Sequence, residues 1–227
     1  MRILLLWSGG VESTSLLKWH LENTDDELFV HRLILHNTEN RDKNESKAIE
    51  TLLPLLQSIR PFNFDTSEIS ICGGTVTPMD RLLYLSIGAI AMQKHNCTEI
   101  RRGYCAEDQW SRRWMFHRIR NRFTNHLIYD KAISLEHNYL WKAISSTHFL
   151  PEGTTLEDVT KIHETSYWPK AKHVKYLGDL FQYTWSCRYP VDGHKCGKCH
   201  SCLERAAAEN GTSHLEEIAE QIRNNPI

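Results

Sequence analysis

The sequence predicts an α/β protein: a Rossmann-like, doubly wound parallel sheet followed by a C-terminal helical lobe that binds a metal. Three observations predict it. Short apolar runs alternate with amphipathic stretches through residues 1–105, the pattern of strand–helix–strand units. Gly9-Gly10 stands where the first run gives way to the first amphipathic stretch. Four of the seven cysteines, Cys187, Cys196, Cys199 and Cys202, crowd into 16 residues near the C-terminus.

The elements follow in order. Arg2–Leu6 is an apolar run bounded abruptly by glycine, a buried strand. Glu12–His20 places Leu16, Leu17 and Leu21 at helical spacing. Phe29–Leu35 is the second strand, and Asn44–Gln57 carries Ala48, Leu52, Leu55 and Leu56 on one helical face. Ile69–Cys72 is expected as the third strand, Arg81–Lys94 as a helix with Leu82, Leu85, Ala89 and Met92 in register, and Thr98–Tyr104 as the fourth strand. Beyond residue 105 the pattern changes. Asp108–Phe123 has helical spacing, residues 134–170 give no clean periodicity, and Thr154-x-x-Glu157 and Ser213-x-x-Glu216 are capping-box patterns. The last helix is expected to end at Asn224-Asn225-Pro226. No internal repeat or low-complexity linker occurs, so residues 1–227 are expected as one domain. Its parts are an α/β core (1–105), an insertion (106–170) and a cysteine knot with C-terminal helices (171–227).

Composition narrows the class. With 27 Lys+Arg against 28 Asp+Glu, the net charge of −1 gives no global attraction to nucleic acid or membrane. The apolar run after Met1-Arg2 stops after five residues, shorter than a signal-peptide core, and no 18 apolar residues run together. A cytoplasmic protein is expected. Cys72, Cys97 and Cys105 lie in apolar stretches and are expected as buried small side chains. Most of the thirteen histidines are expected at the surface.

The sharpest N-terminal feature is Trp7-Ser8-Gly9-Gly10-Val11-Glu12-Ser13-Thr14, at the strand-to-helix junction. Two glycines let a phosphate approach the backbone, Ser8, Ser13 and Thr14 offer hydroxyls, and the helix N-terminus offers oriented N–H groups. It is not a Walker loop, since no Gly-x-x-x-x-Gly-Lys is present. Ser8-Gly9-Gly10-Val11-Glu12-Ser13 resembles the SGGxDS loop of the PP-loop ATP pyrophosphatases, with Glu12 where that group has Asp. The resemblance implies ATP and magnesium bound at residues 7–14 and adenylation of a substrate oxygen.

Near the other end, Cys187 and Cys196-Gly197-Lys198-Cys199-His200-Ser201-Cys202 offer four thiolates separated by an eight-residue loop. Such a set suits a closed, structural zinc site, with Gly193 and Gly197 permitting the turns. An iron–sulfur cluster is the competing reading, disulfides are disfavoured, and His194 and His200 are bystanders by default. Thr184-Trp185-Ser186-Cys187 with Cys196–Arg205 is similar to the zinc motif of 7-cyano-7-deazaguanine synthase, the QueC-like branch of the PP-loop group. Thr77-Pro78-Met79-Asp80-Arg81 resembles its helix-opening V-P-x-R-N segment. Arg101-Arg102-Gly103 resembles its fourth strand ending in glycine, and Tyr176-Leu177-Gly178 its helix ending in Leu-Gly.

That resemblance implies conversion of 7-carboxy-7-deazaguanine, ammonia and ATP to the nitrile, through an adenylated carboxylate and an amide. It implies Ser8, Ser13 and Arg81 as catalytic groups and the adenine near Leu35-His36. Structural zinc, a homodimer and no membrane or nucleic-acid partner complete the expectation. Amide formation alone, or coupling to another acceptor, is the first alternative. A catalytically weak nucleotide-binding module or a tRNA-modifying protein is the second.

The middle of the chain departs from the family. Asp108, Arg112 and Arg113 stand where the family's substrate side lies, a carboxylate to meet a guanine-type edge and arginines to hold the substrate's carboxylate. Trp110 and Trp114 offer stacking surfaces. The same residues also read as an ordinary helix with Trp114, Met115, Ile119 and Phe123 buried and its arginines solvated. Residues 101–131 carry eight basic and three acidic side chains, a local +5 that keeps a nucleic-acid reading open.

Overall fold

The structure is a computed structural model that describes residues 1–70, 80–106 and 163–212, with only the backbone at 80–83, 85 and 86. Its first part alternates strand and helix: β1 (Arg2–Leu6), α1 (Val11–Asn23), β2 (Glu27–His36), α2 (Asp42–Ile59), β3 (Asn63–Ser70), α3 (Asp80–Lys94) and β4 (Glu99–Arg102). The four strands pair in the order β3-β2-β1-β4, all parallel.

The apolar run of β1 is what a central parallel strand requires, because helices cover both of its faces. Ile3, Leu5 and Trp7 meet Leu16, Leu17 and Leu21 of α1 and Ile49, Leu52 and Leu56 of α2. Leu4 and Leu6 face the opposite side, against Ala89 and Met92 of α3, Cys97, and Ile100 of β4. Chain order runs outward from β1 to β3, then β4 returns to the other side of β1. The crevice at the carboxyl ends of β1 and β4 is therefore the topological switch point, where open α/β sheets take ligands.

The third strand begins earlier than the sequence suggests, at Asn63 rather than Ile69; it is described as Asn63–Ser70, and the expected end at Cys72 lies outside the described residues. Paired on one side to β2, it is half-exposed along its length and carries Asp65, Thr66, Ser67 and Glu68. An edge position needs no apolar run, so hydrophobicity marked only its end. Cys97 and Cys105 are fully buried as expected, and burial pushes the Cys97 thiol up to about 12. The described histidines divide evenly. Of the eight described, His20, His31, His163 and His173 are buried, held by ring and polar contacts that sequence does not show.

The second part opens with a 3₁₀ turn (Glu164–Tyr167), then α4 (Lys170–Leu177), a further 3₁₀ stretch (Gly178–Tyr183) and α5 (His200–Glu209). The helix ending in Leu-Gly is present: α4 stops at Leu177, and Gly178 takes φ +57°. Lys18 Nζ donates to the Tyr176 carbonyl at 2.7 Å and the Tyr176 hydroxyl to Glu22 at 2.5 Å, tying α4 to α1. The expected helix at Asp108–Phe123, the two capping boxes, the helix end at Asn224–Pro226 and Cys72 lie outside the described residues.

Candidate functional site

The loop after β1 continues the sheet for one bond, Trp7 N–H to the His31 carbonyl at 2.9 Å, and then turns into α1. Gly9 makes the turn at φ +75°, where a Cβ would stand 3.0 Å from Ile49 Cγ1. The loop hydroxyls bond within the loop. Ser8 Oγ and Ser13 Oγ are 3.2 Å apart, Gly10 N–H donates to Ser8 Oγ at 3.4 Å, and Ser13 Oγ donates to the Gly10 carbonyl at 3.3 Å. α1 begins without a side-chain cap, so its first amides are not taken by one. Trp7 Nε1 donates to Thr14 Oγ1 at 3.0 Å; Thr14 and Val11 are fully buried, while Trp7 also borders the cavity described next.

Two other segments close on this loop. From β4, Gly103 packs so closely on the start of α1 that a Cβ there would lie 2.3 Å from Ser13 N. From the C-terminal lobe, Trp185 N–H donates to the Gly9 carbonyl at 3.0 Å. Together they border an open cavity of about 320 Å³. Ser8, Glu12 and Ser13 line one side, Arg41 and Glu45 of the second strand–helix connection another. Tyr84, Arg102, Gly103 and Tyr104 line the β4 side, and Lys170, Trp185, Ser186, Arg188, Ser201 and Glu204 the lobe side.

Its floor is an ion network that the sequence does not announce. Lys170 Nζ lies 2.9 Å from Glu12 Oε1 and 2.8 Å from Glu204 Oε2, and His200 Nε2 lies 2.9 Å from Glu204 Oε1. Burial works against the Lys170 charge, but the two carboxylates outweigh it and raise its pKa well above the ordinary lysine value. Burial likewise opposes ionisation of both acids, and their partners prevail. Glu12 falls below its ordinary value beside Lys170, and Glu204 falls to about 2 through His200 and Lys170. Across the cavity, Arg41 Nε is shared between Glu39 at 3.1 Å and Glu45 at 3.4 Å. Burial raises Glu45 above the usual carboxylate range in spite of Arg41 and Arg32.

The four cysteines come together behind the lobe wall. Their Sγ atoms lie within 4.8 Å of one another, with Cys196 and Cys202 at 4.0 Å. Gly193 at φ +78° and Gly197 at φ +72° make the turns between them. Cys196 N–H donates to Cys187 Sγ at 3.3 Å and Cys199 N–H to Cys196 Sγ at 3.4 Å. Amides of Lys198 and Cys199 pull the Cys196 thiol down to about 6, which favours the metal-binding thiolate. Arg205 secures the preceding segment, donating to the Thr184 carbonyl at 3.0 Å, Thr184 Oγ1 at 2.8 Å and the Phe181 carbonyl at 2.8 Å.

Not every residue singled out in the sequence reaches the cavity. Leu35 is buried and His36 part-exposed at the far end of β2, and neither lines it. Arg81 is the second residue of α3, its side chain outside the described set, as are Asp108, Arg112 and Arg113. Lys170 and Arg188 were not singled out, and Ser186, Glu204 and Arg205 were read only as part of the cysteine motif, with no role of their own. The clue was position: Ser186 and Arg188 flank Cys187, and Glu204 and Arg205 follow Cys202.

No family model and no curated protein matches the sequence. Among solved structures, the chain is similar to the U34-tRNA thiolase NcsA from Methanococcus maripaludis with its [4Fe-4S] cluster. The TM-score is 0.55 at 11% identity, over 100% of this chain and 67% of that one. The shared fold is α/β, a parallel four-stranded sheet covered by helices. At that identity the likeness is one of fold. No helix among the described residues is long and apolar enough to cross a membrane.

Proposed function

We propose that the chain is an ATP-using enzyme that adenylates a substrate oxygen, releases pyrophosphate and lets a nitrogen nucleophile displace AMP. The observation that supports this most is the Ser8–Ser13 loop at the switch point, opening on a cavity ringed by Arg41, Arg102, Lys170 and Arg188. Cations and oriented amides in a sheltered crevice stabilise charge that builds on the reacting phosphate and its leaving group. Ser8, Gly9, Gly10 and Ser13 would hold the pyrophosphate portion, with Arg81 approaching from α3. Glu12, one oxygen engaged by Lys170, would hold magnesium through the other.

The adenine is proposed along β2 beyond the loop. β1 pairs with β2 only as far as Leu6↔His31, and the His31 carbonyl points toward β1. By strand periodicity the amide and carbonyl of Leu35 face the same way, past the end of β1 and without a strand partner there.

The four cysteines fit a single tetrahedral ion. Zinc–sulfur bonds of about 2.3 Å put the sulfurs about 3.8 Å apart, close to the 4.0 Å between Cys196 and Cys202. A cluster would spread them farther, since each thiolate would sit on its own iron. The ion would supply cross-linking of the lobe and no open coordination position.

For the substrate we propose 7-carboxy-7-deazaguanine with ammonia, on the strength of the motifs at both ends of the chain. The experiment is mass spectrometry of the full chain with ATP, magnesium, ammonia and this acid. The nitrile is the expected product, and an accumulating amide would identify a one-step ligase. The second reading, tRNA modification, is favoured by the likeness to a tRNA thiolase and by the basic stretch at 101–131. It would replace the first if pyrophosphate release required tRNA. No pyrophosphate release with either substrate would overturn both.

A further inference from the structure

The lobe wall of the cavity is built from residues on either side of a cysteine of the four-cysteine cluster. Trp185 donates to the Gly9 carbonyl, and its own carbonyl lies 3.5 Å from where Gly10 would carry a Cβ, so this segment runs in contact with the loop. The next side chains divide. Cys187 turns into the cysteine cluster, while Ser186 and Arg188 line the cavity. Ser186 Oγ is buried and makes no hydrogen bond among the described residues, whereas Ser8 and Ser13 bond to each other. A buried hydroxyl without a partner gives up nothing when it turns to a ligand oxygen. Arg188 brings a guanidinium to the same wall, 4.0 Å from Glu39.

We propose that Ser186 and Arg188 are binding residues for the pyrophosphate oxygens of the nucleotide, so that filling the four-cysteine site sets phosphate affinity. The metal would fix Cys187, and with it the two neighbours that complete the site. This rests on the nucleotide reading above and extends it to the far side of the cavity.

The test is calorimetric binding of magnesium pyrophosphate and of ATP to the full, metal-loaded chain, with metal content and melting temperature recorded for each protein. Ser186→Ala is expected to weaken pyrophosphate about tenfold and Arg188→Gln at least as much, with metal content and melting temperature unchanged. Chelation is expected to weaken the native chain similarly, yet to weaken Ser186→Ala by a smaller factor, because the same contact is already lost. Native binding with both variants unaltered would overturn this inference and leave the nucleotide reading standing. A folded native chain that binds neither ligand would overturn both.

Discussion

A methyl group at residue 103 has nowhere to go, because the start of α1 already occupies its place. Gly103→Ala must push β4 away from the glycine loop after β1, and overpacking of that kind costs about 1–3 kcal/mol. We expect the variant to fold with a lower urea midpoint and to bind ATP at least tenfold more weakly; unchanged affinity would mean the loop is not held from β4. Lys170 makes the opposite case, of a charge that cannot be removed. Without it, Glu12 and Glu204 are buried carboxylates that lose their shared counter-ion, and breaking such a network costs about 3–5 kcal/mol. Lys170→Met is therefore expected to destabilise strongly in chemical denaturation, and Lys170→Met with Glu204→Met to recover part of the loss. A double variant no better than the single one would show that carboxylate repulsion is not the cause.

At the scale of elements, the cysteine knot joins the lobe to the α/β core through Trp185, Arg205 and Lys170. Cys199→Ser is expected to lose a metal ion present at one per native chain and to lower the melting temperature by several degrees, read by elemental analysis and calorimetry. Retention of full metal content would require a ligand other than the four cysteines. How much of this was legible follows from which physical signal each element leaves. β1 was readable at its residue limits, because a strand covered on both faces must be apolar throughout. The start of β3 was misplaced, because an edge strand carries no such run. The glycine loop and the cysteines were readable because turns and metals demand particular residue types at fixed spacing. Lys170 was not, since nothing local marks a lysine as buried until Glu12 and Glu204 arrive from the start of α1 and from α5. The bond between the Trp7 and Thr14 side chains was not legible either, because spacing does not encode side-chain direction.

For the whole molecule, the seam between core and lobe makes stability depend on pH. His20 of α1 and His163 of the lobe sit with ring centroids 5.0 Å apart, Trp19 against both. Each falls to about 4 from an ordinary 6.5, with burial the largest cause. For His20 the His163 and Arg101 charges add to burial, with a smaller push from Arg60, while Asp26 opposes; for His163, Arg101 adds to burial and Glu164 opposes. Both are therefore neutral in the folded chain at pH 7. Between about 6.5 and 4 the unfolded chain binds protons that the folded chain refuses, so stability falls as pH falls through that window, by at most about 1.4 kcal/mol per pH unit for each histidine. Above 6.5 the contribution is fully present. Glu204, lowered to about 2, adds its loss only below its unfolded value of about 4.5, so the histidines dominate the upper part of the window. Neither His20 nitrogen has a hydrogen-bond partner among the described residues, so a phenyl ring replaces it without stranding a polar group there. His20→Phe is therefore expected to fold and to cut the slope of urea stability against pH between 6.5 and 4.5 to about half. An unchanged slope would place the acid sensitivity elsewhere than at this seam.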